Sequence, residues 1–366
     1  MNAEAGADAG AETRAPQTHD GDGDRPPPVA RPDPRWLRRF LRRLLASPVL
    51  RKNLGAAAGL IAVFILFSAL LGGARGLSFA DPANLETIFR QTTIVAVAAL
   101  GMTIVIVSGG IDLSVGAIIA LATVVIAACL RAGAPPTVAA LAGIAAGVGC
   151  GALNGLLVTR LKVVPFIVTL GTMLVVRGIA KGLAHEQKID APPSWLNDLL
   201  SRLPVDGTWR EWMVFPPGVW MLFLLAFSVG ALLLYTRLGR HVFAVGSNEQ
   251  AARLCGVSVA RVKVAVYLLG GFFAGIAGLM QFSRLTVGDP TGAMGLELNI
   301  IAAVVIGGGS LAGGEGSVLG CLIGALIMQV LQSGCSQMGW PNWVQEIVTG
   351  AIIVVAVALD RFRHLR

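Results

Sequence analysis

The chain has 366 residues, of which 55% are hydrophobic and 14% charged, with 46 glycines and a formal net charge of +8; its mean hydropathy is +0.72. A soluble domain carries about 25% charged residues, so that class is excluded, and the glycines follow no three-residue period, which excludes a collagen-like fibre. The basic excess crowds beside apolar segments rather than on one phosphate-binding face, which points to membrane topology and away from nucleic acid.

Residues 1–34 are rich in Ala, Gly, Asp and Pro, including Pro26-Pro27-Pro28, and are expected to form a disordered tail. Over 35–53, Arg35, Arg38, Arg39, Arg42 and Arg43 alternate with Trp36, Leu37, Phe40, Leu41 and Leu44 at helical spacing. That pattern suits a basic amphipathic interfacial helix or a plain juxtamembrane anchor. No cleavable signal peptide is expected, because the first apolar segment starts late and no small-residue cleavage site follows it. Ten apolar segments then recur near 54–71, 91–108, 115–131, 136–158, 163–184, 217–235, 264–283, 297–313, 316–333 and 343–359. A spanning helix needs about 20 residues. The mean here is shorter, so a few segments are expected to be broken or partly re-entrant. The fold class is all-α: a polytopic helical membrane protein of about ten transmembrane helices, its transmembrane domain covering 54–360 and a short tail 361–366.

Loop charges give the orientation. With the N-terminus inside, 18 basic residues fall on inside segments, among them Arg160, Lys162, Arg237, Arg240, Arg253, Arg261 and Lys263, against seven outside. Both ends are therefore expected in the cytoplasm of a bacterial inner membrane. Six of the seven tryptophans (Trp195, Trp209, Trp212, Trp220, Trp340, Trp343) then sit near the outer interface, as an aromatic belt.

Two polar segments are long. The outer one, 185–216, holds Pro192-Pro193 and three tryptophans. Within the inner one, 236–263, Ser247 and Gln250 have capping-box spacing, Glu249 lies in the first turn, and Gly256 is a natural stop. The short helix through Ala251, Ala252 and Leu254, with an Ala-Ala surface patch, reads as a docking element or as an amphipathic connector.

Gly143, Gly147, Gly151 and Gly155 form one small-residue ladder and Gly316, Gly320 and Gly324 another, which lets helices approach closely in lipid. The ladders lie five spans apart, an offset compatible with two inverted five-helix halves. Ser108-Gly109-Gly110-Ile111-Asp112-Leu113-Ser114-Val115-Gly116 breaks the second span, and Asp112 either caps the third or serves a solute path. A similar break runs from Gly307 to Gly316, with Glu315 able to cap. Arg177 and Lys181 are expected to snorkel near the outer end of the fifth span, and Glu297 heads the eighth. Thr103, Asn154, Thr169, Thr172, Gln281, Asn299 and Gln329 supply neutral polar groups, for a hydroxylated solute or for neighbouring helices. The four histidines form no metal-ligand pair, the five cysteines have no CxxC pairing, and no nucleophile–base set or nucleotide loop is present. The chain is expected to be a transport subunit rather than an enzyme.

Several stretches together resemble the permease subunits of bacterial ABC importers for ribose, xylose, arabinose and related monosaccharides. They are Gly101-Met102-Thr103 through Gly109-Gly116, Pro165–Met173 with Arg177-Gly178, Gly239-Arg240, Gly246-Ser247-Asn248, Ala251-Ala252-Arg253, Gly256-Val257, and Ile301–Gly308 with Ser310-Leu311 and Gly313-Gly314. The resemblance covers about 85% of the chain, from roughly Phe79 to Asp360. Departures are Cys255 for the usual Ser, Asn299 where an Asp is common, and the absence of an Asn-rich run at 332–336.

The resemblance implies a paired permease, most simply a homodimer, moving a monosaccharide by alternating access. It implies a cytoplasmic ATP-binding subunit that carries the ATP and Mg, this chain binding no cofactor. The coupling loop would comprise Gly246, Ser247, Asn248, Glu249, Ala251, Ala252, Arg253 and Gly256. A periplasmic sugar-binding protein would meet 185–213 and 284–296. The candidate translocation path, between the two copies, comprises Ser108, Asp112, Ser114, Asn154, Thr169, Thr172 and Asn299. An ion-coupled secondary transporter or channel is the rival reading; it usually needs paired carboxylates deep in the membrane, where Asp112 is expected to stand alone. A structural scaffold would leave these polar groups without a role.

Overall fold

The computed structural model describes residues 48–75, 78–202 and 215–364. The tail 1–34, residues 35–47 of the basic segment, and Trp209 and Trp212 lie outside these. The helices are α1 (Pro48–Arg75), α2 (Pro82–Val107), α3 (Val115–Arg131), α4 (Pro136–Leu161), α5 (Pro165–Leu183), α6 (Pro217–Tyr235), α7 (Arg237–Ser247), α8 (Glu249–Leu254), α9 (Val259–Leu285), α10 (Leu296–Ile306), α11 (Val318–Gln337) and α12 (Asn342–His364). Proline stands at the first position of α2, α4, α5 and α6, where its missing N–H costs nothing.

Among the described residues, seven helices are long and apolar enough to cross a membrane, and α3, α10 and the start of α12 are shorter apolar helices. These ten match the ten expected segments in order; α7 and α8 occupy the 236–263 segment. Two boundaries differ. The second span begins at Pro82, nine residues before its apolar run, because Asp81 caps it by accepting a hydrogen bond from Ala83 N at 3.2 Å. The eighth stops at Ile306, and residues 307–317 form a turn with Gly308, Gly313 and Gly314 at positive φ. The last helix continues to His364.

The bundle is built from two sets of equivalent contacts. Helix α4 packs along α9 as α11 packs along α2; α3 meets α4 as α10 meets α11. Likewise α3 meets α9 as α10 meets α2, and α3 meets α5 as α10 meets α12. The offset is five spans, an odd number, so in an alternating bundle the second half runs inverted to the first. Helices α1 and α6 depart from the pattern, α1 lying on α11 and α6 on α2. The glycine ladders do not themselves carry the symmetry. Gly147 and Gly151 meet the backbone of Gly271 and Gly275 on α9, whereas Gly320 and Gly324 meet Gly307 and Ala303 at α10.

One end of the bundle gathers the α2–α3 break, α7, α8 and the α10–α11 turn; it is the loop end. The other, the hairpin end, holds an antiparallel pair, β1 (Ile189–Asp190) and β2 (Val287–Gly288), and a short 3-10 turn at Trp195–Leu199. Trp195, Trp220, Trp340 and Trp343 lie at the hairpin end, while Arg160, Lys162, Arg237, Arg240, Arg253, Arg261 and Lys263 lie at the loop end. Each cysteine is free: Cys321 and Cys335 are buried, Cys129 and Cys150 half-buried, and Cys255 is exposed.

Candidate functional site

The α2–α3 break is held by side chains from α4 and α5. Two residues after Asp112, the backbone N–H and the hydroxyl of Ser114 donate to Asp112 Oδ1 at 2.8 and 2.6 Å. Asn154 Nδ2 on α4 donates to Ser114 Oγ at 2.8 Å. On α5, Thr169 Oγ1 donates to the Ile111 carbonyl and accepts from Leu113 N, both at 3.2 Å. Thr172 bonds the Thr169 carbonyl and Ser108 the Val105 carbonyl. Ser108, Asp112, Ser114, Asn154, Thr169 and Thr172 are all buried. Asp112 therefore forms an Asx turn, and no side chain caps α3 at Ser114.

A second break precedes α10. After β2 the chain turns into the bundle: Gly288 packs on Thr123, Val124 and Ala127 of α3, and Ala293 and Glu297 reach Gly116 at the other end of that helix. This travel of eleven residues along α3 corresponds to about 16 Å, so α10 starts partway through the membrane. Non-helical backbone at such depth requires protein or a wet cavity around it. Here α3 covers one side and a cavity lies on the other. Residues 288–290 and Ala293, within the 284–296 segment that the resemblance implies for a binding protein, are thus buried. The rest of that surface is joined to 185–202 by β1–β2, by Leu200 N donating to Ser283 Oγ at 2.9 Å, and by a Lys188–Asp289 pair at 3.1 Å. Asp289 accepts from Thr291 N and Oγ1 at 2.9 and 2.8 Å. Its burial opposes ionisation, but these donors and Lys188 prevail and hold the carboxyl below its ordinary value.

Arg177 and Glu297 correct the sequence reading. Rather than snorkelling at a helix end, Arg177 Nη2 lies 3.7 Å from Glu297 Oε1, with both side chains largely buried. Arg177 Nε and Glu297 Oε2 make no hydrogen bond among the described residues. Asp112 therefore does not stand alone: Glu297 packs on Gly116, one helical turn beyond it. The early end of α10 at Ile306 is the signal that would have set its start, and Glu297, at depth.

The cavity, about 670 Å³, is lined by Asn84 and Gln91 of α2, Gln281 and Arg284 of α9, Gly292 and Met294 of the inward-turning segment, Asn299 of α10, and Gln329, Gln332, Ser333 and Ser336 of α11. Of the expected path residues only Asn299 lines it; the other six form the separate buried network above. Gln329 bonds Gln91, and Ser333 Oγ donates to Asn84 Oδ1 at 2.9 Å. Gln281 Nε2 donates to the Gly292 carbonyl at 3.2 Å. These are uncharged groups that both donate and accept, the complement of a hydroxylated solute. Arg202 and Arg284 add cationic groups to the lining.

At the loop end, the segment expected to hold one short helix holds two. Thr236 caps α7 through Gly239 N at 3.1 Å, and Asn248 caps α8 through Ala251 N at 2.9 Å. The cap is thus Asn248, one residue beyond Ser247, which closes α7; Gly256 ends α8 at φ +83°. Ala252 is buried, so the surface is formed by Ala251, Arg253 and Leu254, the last 90% exposed. Leu254 lies in the expected short helix, though the resemblance does not count it among the coupling-loop residues. Glu249 bridges Arg253 Nη2 at 3.0 Å and Lys263 Nζ at 2.7 Å. The hydrogen bond from Lys263 holds its carboxyl below the ordinary value against partial desolvation. Beneath α8, Gly246 sits against Val107 and Gly314, while Gly314 N donates to the Val107 carbonyl at 2.9 Å. The coupling-loop candidates and the α2–α3 break are therefore in backbone contact.

The family described as branched-chain amino acid transport system / permease component matches residues 84–357. Ribose import permease protein RbsC of Escherichia coli K12 is 39% identical over 277 residues, covering 76% of this chain and 85% of that protein. RbsC of Bacillus subtilis is 39% identical over 321 residues (87% and 96%), and fructose import permease protein FrcC of Rhizobium meliloti 36% over 310 (83% and 83%). No solved structure matches the chain. With ten apolar helices among the described residues, in two inverted sets, and these relatives across most of its length, the chain belongs to this family of membrane-spanning transport permeases.

Proposed function

We propose that this chain is the permease subunit of an ATP-driven importer that moves a monosaccharide by alternating access. The observation that carries the reading is the cavity at the hairpin end, walled by amide and hydroxyl side chains from α2, α9, α10 and α11. Such groups exchange hydrogen bonds with sugar hydroxyls as readily as with water or each other. The relatives' names, which include ribose and fructose importers, agree with it.

In this reading the loop end faces the cytoplasm, as its basic residues favour, and the hairpin end receives a sugar-binding protein on 185–202 and β2. The exposed face of α8, with Leu254 outermost, enters a groove of a separate ATP-binding subunit, which carries ATP and Mg. A second copy packs on α5, whose Ile167 and Leu174 are 58% and 64% exposed. The seam then runs beside the 108–116 break and the 165–173 segment, where Asp112, Ser114, Asn154, Thr169 and Thr172 secure the moving backbone. Motion of α8 reaches that break through Gly246, Val107 and Gly314.

The test is uptake of labelled ribose, fructose, xylose and arabinose into vesicles holding the permease, its ATP-binding subunit and its binding protein. At least one sugar should accumulate only with ATP. Leu254→Asp should reduce co-purification of the ATP-binding subunit at least tenfold while membrane insertion is kept. Accumulation without ATP, or full-yield co-purification of the variant, overturns the reading.

A further inference from the structure

A second cavity, about 550 Å³, opens between α6 and α11 toward the loop end. Its lining, which includes Phe227, Ala231, Leu234, Phe243 and Leu319, is apolar apart from the hydroxyls of Tyr235 and Ser317. It shares no lining residue with the polar cavity. Phe227, Leu234 and Tyr235 are exposed although α6 is a candidate spanning helix, so this wall faces lipid or another apolar body.

The end of the groove is marked by charge. Tyr235 closes α6 and Arg237 opens α7 two residues later. Arg240 lies three residues before Phe243, hence on the same face of α7 as that groove residue. Both arginines are exposed, and neither forms an ion pair among the described residues. An apolar slot whose lining residues Tyr235 and Phe243 stand two and three residues from Arg237 and Arg240 complements one kind of molecule: an apolar chain with an anionic head. Guanidinium groups bind phosphate through paired donors.

We propose that the α6–α11 groove is a binding site for an anionic phospholipid, an acyl chain lying between Phe227, Ala231 and Leu319 and the phosphate resting on Arg237 and Arg240. Helix α7 carries Gly246 at its far end, so a lipid held there contacts the same helix that touches the α2–α3 break.

The probe is phosphatidylglycerol against phosphatidylcholine, each offered in mixed micelles to the delipidated full-length permease and quantified by native mass spectrometry. Phosphatidylglycerol should be retained at least tenfold better. The double variant Arg237→Gln with Arg240→Gln should erase that preference. Ala231→Trp, which fills the slot, should reduce retention of phosphatidylglycerol without touching the charges. Thermal unfolding of each variant confirms that it is folded, and either variant alone decides the matter should the other fail to fold. Equal retention of the two lipids overturns the proposal, as does a preference that survives both variants. Displacement of the lipid by inorganic phosphate alone would leave the apolar slot without a role and also overturns it. Efficient copy-to-copy disulfide cross-linking through Phe227→Cys in native membranes would assign the groove to a second permease and overturn it too. None of these results depends on which solute is carried, so the transport reading stands or falls separately.

Discussion

Asp112 and Asp289 hold the same hydrogen-bonding motif in opposite halves of the molecule. Each accepts, on Oδ1, the backbone N–H and the hydroxyl of the residue two positions on, Ser114 in one case and Thr291 in the other. Each lies in the non-helical stretch that leads into the third membrane segment of its half, α3 or α10. Their surroundings differ. Asp112 is enclosed by α4 and α5, whereas Asp289 adds an ion pair with the exposed Lys188.

The two motifs should therefore respond unequally to loss of the hydroxyl. Ser114→Ala strips a donor from the Asp112 carboxylate and an acceptor from Asn154, deep in protein, where each unmade bond costs about 1–3 kcal/mol. Thr291→Val leaves Asp289 with the Thr291 backbone donor position and Lys188. Thermal unfolding in detergent should show the larger loss for Ser114→Ala, and equal losses would contradict the burial difference.

The Arg177–Glu297 pair gives a sharper test. Removing one partner from a buried pair strands the other's charge at a cost of about 3–5 kcal/mol, while replacing both is often near neutral. Glu297→Gln and Arg177→Met should each destabilise strongly, and the double variant should recover most of the loss. Additive effects would mean that the two groups do not interact.

Gly151 meets the Tyr267 carbonyl and the Gly271 backbone where a Cβ would sit. Gly151→Ala leaves no soft side chain to give way, so about 1–3 kcal/mol or more is expected, with separation of α4 from α9. Gly149, with open space at the same test position, should accept alanine with little change. Denaturation midpoints of the two variants would separate these outcomes.

The Glu249 carboxyl titrates below its ordinary value because Lys263 and Arg253 stabilise its charge. A depressed acid contributes stability above the unfolded-state value, about 4.3, and loses it as pH falls through the folded value. Between pH 7 and 5 the α8 amides should thus keep their hydrogen-exchange protection, losing it only in stronger acid. Lys263→Met should move that loss to higher pH.

In the polar cavity, Gln329→Leu removes the partner of Gln91 and one hydroxyl-binding group together. Sugar uptake should fall about tenfold or more, with the ATP-binding subunit still co-purifying. Unchanged uptake would remove Gln329 from the path.

Helix number, order and loop positions were legible in the sequence because an apolar run of spanning length has few other uses. The Asp112 break was legible too, since paired glycines before an acid interrupt any apolar pattern. The second break was hidden. Val287–Leu296, with Asp289, Pro290 and three glycines, reads as an ordinary outer loop between two spans, and only three-dimensional contact with α3 shows that it turns inward. Arg177 was misread for the same reason: residue type signals snorkelling, whereas its partner lies 120 residues away. The amide wall of the cavity was visible only as scattered Gln and Asn residues. Their convergence depends on which faces of α2 and α11 meet, and no periodicity within one helix carries that information.

The mirrored seams α4–α9 and α2–α11 differ in a way that bears on motion. The first is ratcheted: Gly147, Gly151, Gly271 and Gly275 mesh backbone to backbone, so a slide by one residue would drive a side chain into a main chain. The second is stitched by Gln91 to Gln329 and Asn84 to Ser333 along a cavity, and those bonds can be traded for bonds to water or solute at little cost. A molecule whose halves share one architecture thus joins them through one seam locked backbone to backbone and one whose side-chain bonds can be exchanged.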